Sequence, residues 1–175
     1  MTTGRAASAS LRPYLPADAP LCAAIFRAAI EELTVDDYNE DQRKAWASRG
    51  DDLAAFGARL AGALTLIAIV EGDPVGFASL KKDIVDMLFV SPEKAGQGVG
   101  TTLLDALIKL AEARGERQLT SEVSDSARRT FEKQGFVAER RNIVRLDDEW
   151  LANTTMVKPL IAATDSARPP TSRLH

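Results

Sequence analysis

Apolar residues recur along the chain with two different periods, and the points where the period changes mark out the elements. Leu21, Ile25, Ala28 and Ala29 follow the spacing of one helical face, with Cys22 beside them as a small core residue. Asp18 is placed to cap this helix, Pro20 sits in its first turn, and it runs to about Leu33. Ser10 to Tyr14, stopped by Pro16, predicts a short strand before it. Asn39 followed by Gln42 has the form of a capping box and predicts a helix to about Ala47. Asp51 predicts the cap of a further helix running to Leu60 and ended by Gly62.

From Leu64 the pattern changes to apolar, β-branched runs. Leu64–Glu71, Val75–Leu80 and Ile84–Val90, with a turn signal at Gly72-Asp73, predict an antiparallel meander. The helical period then returns from Gly98 to Arg114, with Val99, Leu103, Leu104, Leu107, Leu110 and Ala111 on one face and Gly115 as terminator. Leu119–Val123 predicts a strand and Ser126–Gln134 a helix ended by Gly135. Phe136–Leu146 with Trp150–Val157 predicts a hairpin around Asp147-Asp148. This order predicts a mixed α/β sheet in which the unit from Ile84 to Val123 makes a right-handed parallel crossover.

Composition narrows the chemistry. The 175 residues fit one domain, expected over residues 10–159, with loose polar tails at 1–9 and 160–175. At 45% hydrophobic and 27% charged, the chain has the balance of a globular protein that folds by itself. Lys plus Arg number 22 against 25 for Asp plus Glu, so no basic field exists to neutralise nucleic-acid phosphates. No apolar run approaches the roughly 20 residues of a membrane span, and Met1–Ser10 lacks an apolar signal core. No nucleic-acid or membrane partner and a cytoplasmic location are therefore expected. Cys22 stands alone and His175 is the last residue of a polar tail, which argues against a disulfide, a histidine-based catalytic triad or dyad, and a cysteine or histidine metal site.

The segment Ala95-Gly96-Gln97-Gly98-Val99-Gly100-Thr101 lies between an apolar strand and an amphipathic helix. Glycines there let successive backbone N–H groups converge at the positive end of the helix dipole, an arrangement that suits a pyrophosphate. The spacing alone also fits a tight strand-to-helix connection with no ligand. A Walker loop is excluded because Thr101-Thr102 follows Gly100 with no lysine, and a dinucleotide fingerprint because neither Thr101 nor Leu103 is glycine.

Three segments together resemble the GNAT superfamily of acetyl-CoA-dependent N-acetyltransferases: Leu88-Phe89-Val90-Ser91-Pro92-Glu93, Gly96-Gln97-Gly98-Val99-Gly100 with Leu103-Leu104, and Ala127 to Phe136. The resemblance covers about residues 10–158, and Tyr38, Trp46 and Phe77-Ala78-Ser79-Leu80 look like a poorly characterised bacterial subgroup. It implies a mostly antiparallel twisted sheet, flanked by helices, whose central parallel strands Asp86–Val90 and Leu119–Val123 splay apart to admit acetyl-CoA as cosubstrate. It also implies that Leu88 and Val90 pair with the pantetheine arm by strand addition, that the Val90 N–H meets the thioester oxygen, and that amides from Gly96 to Thr101 hold the pyrophosphate. The activity implied is transfer of acetyl to a primary amine of a small molecule, peptide or protein by direct attack in a ternary complex. A CoA-binding sensor or interaction module with little turnover is the alternative, and a homodimer is allowed. Two departures stand out: Ala95 replaces the family's Gln or Arg, and Phe131 stands where many members carry the tyrosine that protonates the departing thiolate.

An amine is mostly protonated at neutral pH and must lose a proton before it attacks, so a carboxylate near the thioester is expected. Asp86 leads because it interrupts an apolar strand, with local backbone bonding near Lys82 as the alternative. Glu122 on the next parallel strand is second, its alternative being a solvated carboxylate or an ion pair with Arg128. Tyr38 and Ser124 are the candidate acids; Ser124 equally suits a turn or cap before Ser126, and Tyr14 reads as packing. The acidic run Glu31, Glu32, Asp36 and Asp37 reads first as a solvated face.

Overall fold

A computed structural model describes residues 8–161; residues 1–7 and 162–175, which hold most of both expected tails and His175, lie outside the described residues. The chain forms β1 (Ser10–Pro13), α1 (Ala19–Leu33), α2 (Glu40–Ala47), α3 (Leu53–Ala61), β2 (Leu64–Val70), β3 (Asp73–Lys81) and β4 (Ile84–Val90). It continues through α4 (Val99–Ala113), β5 (Gln118–Val123), α5 (Arg128–Lys133), β6 (Val137–Leu146) and β7 (Glu149–Pro159). The seven strands make one sheet in the order β1-β2-β3-β4-β5-β7-β6. All neighbours are antiparallel except β4 and β5, which α4 connects in parallel.

The helix ends differ from expectation in ways that trace to single side chains. The capping box forms as read, with Asn39 and Gln42 exchanging hydrogen bonds of 2.9 Å. The cap of α3 is Asp52, whose carboxylate accepts from the Ala55 N–H, and not Asp51, which follows a 3-10 turn at Ser48–Gly50. Asp18 is the N-cap residue of α1, as expected, but its side chain makes no capping hydrogen bond to the helix. Its two oxygens accept from Arg12 at 2.8 Å, tying β1 to the start of α1, and the Arg12 guanidinium holds this carboxyl below its ordinary range. α5 is shorter than the predicted helix because a turn from Ser124 to Ala127 takes up its first residues.

Strand alternation sends side chains to two separate cores. Ile67, Phe77 and Met87 pack with Phe26, Ile30, Phe56 and Leu60 on the face covered by α1 and α3. Ala68, Ala78, Leu80 and Val85 face Leu103, Leu104 and Leu107 of α4. Several strand residues opposite α4 are small, Ala68 and Ala78 among them, and Gly76 is the extreme case: a Cβ there would stand 3.0 Å from the Phe89 carbonyl oxygen and 3.3 Å from Val99 and Leu103. α4 can therefore lie close against the centre of the sheet.

In β4, Val85 and Met87 belong to opposite cores although regular strand residues two apart share a face. The cause is a β-bulge: Leu80 pairs with Val85 and Ser79 with Met87, which leaves Asp86 as the extra residue. Adding a methyl group at the close approach should be felt directly. Gly76→Ala is expected to destabilise the protein by about 1–3 kcal/mol, an overpacking penalty, with an unchanged denaturant slope in urea unfolding.

Candidate active site

The site begins where the parallel ladder ends. β4 and β5 pair only at Ile84 and Thr120, next to a 2.9 Å bond from the Thr120 N–H to the Asp83 carbonyl. One step further, the buried Ser121 hydroxyl donates to the Val85 carbonyl at 2.9 Å, taking the acceptor that a continuing strand would use. Beyond this point the strands diverge. The Ser91 N–H donates to the Val75 carbonyl at 2.7 Å, which makes Gly76–Val90 the non-hydrogen-bonded pair of the β3–β4 ladder. By alternation, the N–H and C=O groups of Val90 and Leu88 point away from β3 into the gap beside β5. Unpaired backbone in the middle of a sheet is a template for another extended chain.

Below this gap lies the glycine loop. Gly96 and Gly98 adopt φ of 73° and 86°, and Gly98 is the N-cap of α4. The Gly98 carbonyl accepts from both the N–H and the hydroxyl of Thr102 at 3.0 Å. The N–H groups from Gly96 to Thr101 have no acceptor among the described residues, and those of Val99, Gly100 and Thr101 form the first turn of a 15-residue helix. Gly100 faces Val90 and Thr130, where a Cβ would lie 3.6 and 3.9 Å from their methyl groups and fill the groove.

Two cavities meet at the gap. A groove of about 560 Å³ is lined by Leu88, Val90, Gly96, Gly98, Val99, Gly100, Thr101 and Ser124, all singled out from sequence, and by Lys94 and Lys133, which were not. Gln97 does not line it; its side chain donates to the Glu93 carbonyl and braces the loop. A larger cavity of about 710 Å³ contains Asp86, Glu122, Tyr38 and Phe131. Trp46, Leu88, Phe89, Ser124 and Ala127 border both.

The candidates for proton transfer differ in their partners. Asp86 accepts from Arg59 of α3 at 2.8 and 2.9 Å, so both its oxygens face one guanidinium, a contact that no local pattern announces. Glu122 has no ion pair among the described residues, since Arg128 instead bonds Glu132. Tyr38 is buried and donates to the Ala152 carbonyl at 2.6 Å, with its ring edge-to-face on Trp46. Ser124 shares a 3.1 Å hydrogen bond with Ser126. Phe131 is 3% exposed and packs edge-to-face on Phe136 while its ring borders the larger cavity. None of Glu31, Glu32, Asp36, Asp37 or Tyr14 lines either cavity. No group of three or more metal-ligating side chains occurs among the described residues, and none of their helices is long and apolar enough to cross a membrane.

Residues 34–160 match the family described as acetyltransferase (GNAT) domain. The chain belongs to the GNAT family. It is 34% identical over 146 residues to the uncharacterised N-acetyltransferase YafP of Escherichia coli strain K12, covering 83% of this chain and 93% of that protein. A GCN5-related N-acetyltransferase from Rhodopseudomonas palustris is 59% identical, with a TM-score of 0.86 over 89% of this chain and 98% of that one. The fold is shared at lower identity, 22%, with the putative acetyltransferase YncA of Salmonella typhimurium, solved with acetyl-CoA, at a TM-score of 0.65 over 87% and 94% of the two chains. This GNAT protein is thus an acyltransferase of a poorly characterised bacterial group.

Burial also sets the state of the phenols in this GNAT domain. It pushes both tyrosines, Tyr14 and Tyr38, above their ordinary range, and at Tyr38 the charge of Asp125 adds to the effect. A fold that favours the neutral phenol contributes stability below the unfolded value of about 10 and loses it as pH rises past that value. Ultraviolet titration should show tyrosinate appearing only above about pH 10, together with loss of structure. Tyr38→Phe should cost about 1–2 kcal/mol at neutral pH, because the partly buried Ala152 carbonyl loses its donor, and should weaken the alkaline loss.

Proposed function

We propose that the protein transfers an acetyl group from acetyl-CoA to a primary amine by direct attack in a ternary complex. The observation that carries this reading is the gap between β4 and β5, where unpaired Leu88 and Val90 backbone leads to a loop of amides without acceptors. A pantetheine arm is extended and carries amides, so it can pair with Leu88 and Val90 as an added strand. The pyrophosphate then reaches the amides from Gly96 to Thr101, with Lys94 and Lys133 beside it. In this placement the Val90 N–H donates to the thioester oxygen, a contact that strengthens as negative charge develops there.

The acceptor enters the larger cavity, where Glu122 is the carboxylate without an ion-pair partner among the described residues. We assign it the proton of the incoming ammonium, taken directly or through water. Asp86 serves to fix Arg59. The amine nitrogen attacks the carbonyl carbon, the C–N bond forms and the nitrogen sheds its second proton to solvent. The C–S bond breaks, and the thiolate leaves beside the Ser124 and Ser126 hydroxyls, through which a solvent proton reaches it. Tyr38, committed to the Ala152 carbonyl, shapes the wall of the acceptor cavity.

CoA release from acetyl-, propionyl- and succinyl-CoA over a panel of amines tests the activity; release no faster than hydrolysis with every amine would favour a CoA-binding module. Gly100→Val fills the groove and Gly98→Val is strained at φ 86°, and each should weaken acetyl-CoA binding at least roughly tenfold, about 1.4 kcal/mol, by calorimetry. Unchanged affinity in folded variants would remove the phosphate-loop assignment. Glu122→Gln should lower kcat by roughly 10²-fold, with the loss shrinking at high pH where the amine is already neutral. Asp86→Asn should lower activity evenly across pH, the behaviour of a positioning group. The opposite pattern would transfer the proton to Asp86.

A further inference from the structure

Of the charged side chains lining the 710 Å³ cavity, one cation and one anion have no ion-pair partner among the described residues, while Arg49 stands 3.7 Å from Asp147. β6 carries a bulge between Ala138 and Arg140, which sets Arg140 opposite Thr155 of β7, and Thr155 lies opposite Glu122 of β5. Glu122, Thr155 and Arg140 thus form a row straight across three strands, all three lining the cavity. At the usual strand spacing the outer two backbones stand roughly 10 Å apart. Arg59 is neutralised by Asp86. Arg140 has no acidic partner among the described residues, and neither it nor Glu122 pairs with the other.

Arg140 is nevertheless held in place. Its Nε donates to the Asn142 side-chain oxygen at 3.0 Å, and the Asn142 amide donates to Asn153 at 2.9 Å and to Thr155 at 2.8 Å. This network grips one edge of the guanidinium. Its two terminal amino groups have no acceptor among the described residues. A fork fixed on one side and open on the other suits a planar carboxylate, which accepts two parallel bonds.

We propose that the acceptor is an amine that also bears a carboxylate, an amino acid or short peptide, with its ammonium toward Glu122 and its carboxylate on Arg140. This rests on the transfer reading of the same cavity and adds its substrate class. Arg140 is exposed to the cavity, and a neutral amine of equal size would cover its guanidinium without supplying a partner, so the site discriminates by what it leaves unpaired.

The test uses matched pairs, α- and ω-amino acids and dipeptides each against its own carboxamide, with CoA release as readout. For the best pair the carboxylate form should be favoured at least roughly tenfold in kcat/KM. Arg140→Gln should reduce that ratio to within about threefold of unity, and Arg140→Lys, which keeps charge without the fork, should retain part of it. Asn142→Ala should also lower the ratio, since it frees the guanidinium without removing charge, and it serves should Arg140→Gln fail to fold. A preference untouched by these variants, or a wild-type enzyme that favours carboxamides, overturns the proposal while leaving acetyl transfer intact. Acetyl-CoA binding with no amine of either series acetylated overturns the transfer reading and this inference with it.

Discussion

The architecture of the site depends on a parallel strand pair that is joined at one end only. β4 and β5 are tied at Ile84 and Thr120, and the Ser121 hydroxyl then satisfies the Val85 carbonyl, so the ladder stops without an orphaned buried group at its last rung. Were the ladder to continue, Leu88 and Val90 would bond to β5 and no gap would exist. α4 springs from the same region and is held close to the sheet by Gly76, which brings the loop amides beneath the opening. Sheet, helix and loop thus converge because two strands part.

Sheet irregularities aim the charged groups. A strand that alternates strictly between two buried faces has no good place for a carboxylate, and the bulge at Asp86 supplies one by shifting the chain by one residue. A second bulge next to Arg140 does the same at the far side of the cavity. The first lies where an apolar core gives way to open space and the second on the exposed edge strand, so in both places the local loss of a ladder bond falls where water or a ligand can replace it.

Much of this was legible in the sequence because it is encoded locally. The change of hydrophobic period marked the elements, the Asn39–Gln42 box marked a helix start, and Gly96 and Gly98 marked positions of positive φ. What was not legible depends on distant partners. Arg59 reaches Asp86 across 27 residues of sequence, and nothing near either residue distinguishes that pairing from the local bonds expected of Asp86. Arg140 and Glu122 share a row only because β7 lies between their strands, a consequence of topology that no spacing reveals. The choice between Asp51 and Asp52 as cap turned on a single backbone turn at Ser48–Gly50. The cations Lys94 and Lys133 became notable only when the fold brought both to one groove.

Trp46 borders both cavities and makes edge contacts with Tyr38 at 5.7 Å and Phe89 at 6.1 Å. The chain has just one other tryptophan, Trp150, which is exposed on β7 beneath Arg145. The protein therefore carries an optical reporter at the junction of its two chambers and a second, solvent-facing one as an internal reference. Quenching by small anions or neutral quenchers separates their emission by accessibility alone, which makes the meeting point of the chambers observable in solution with no label attached.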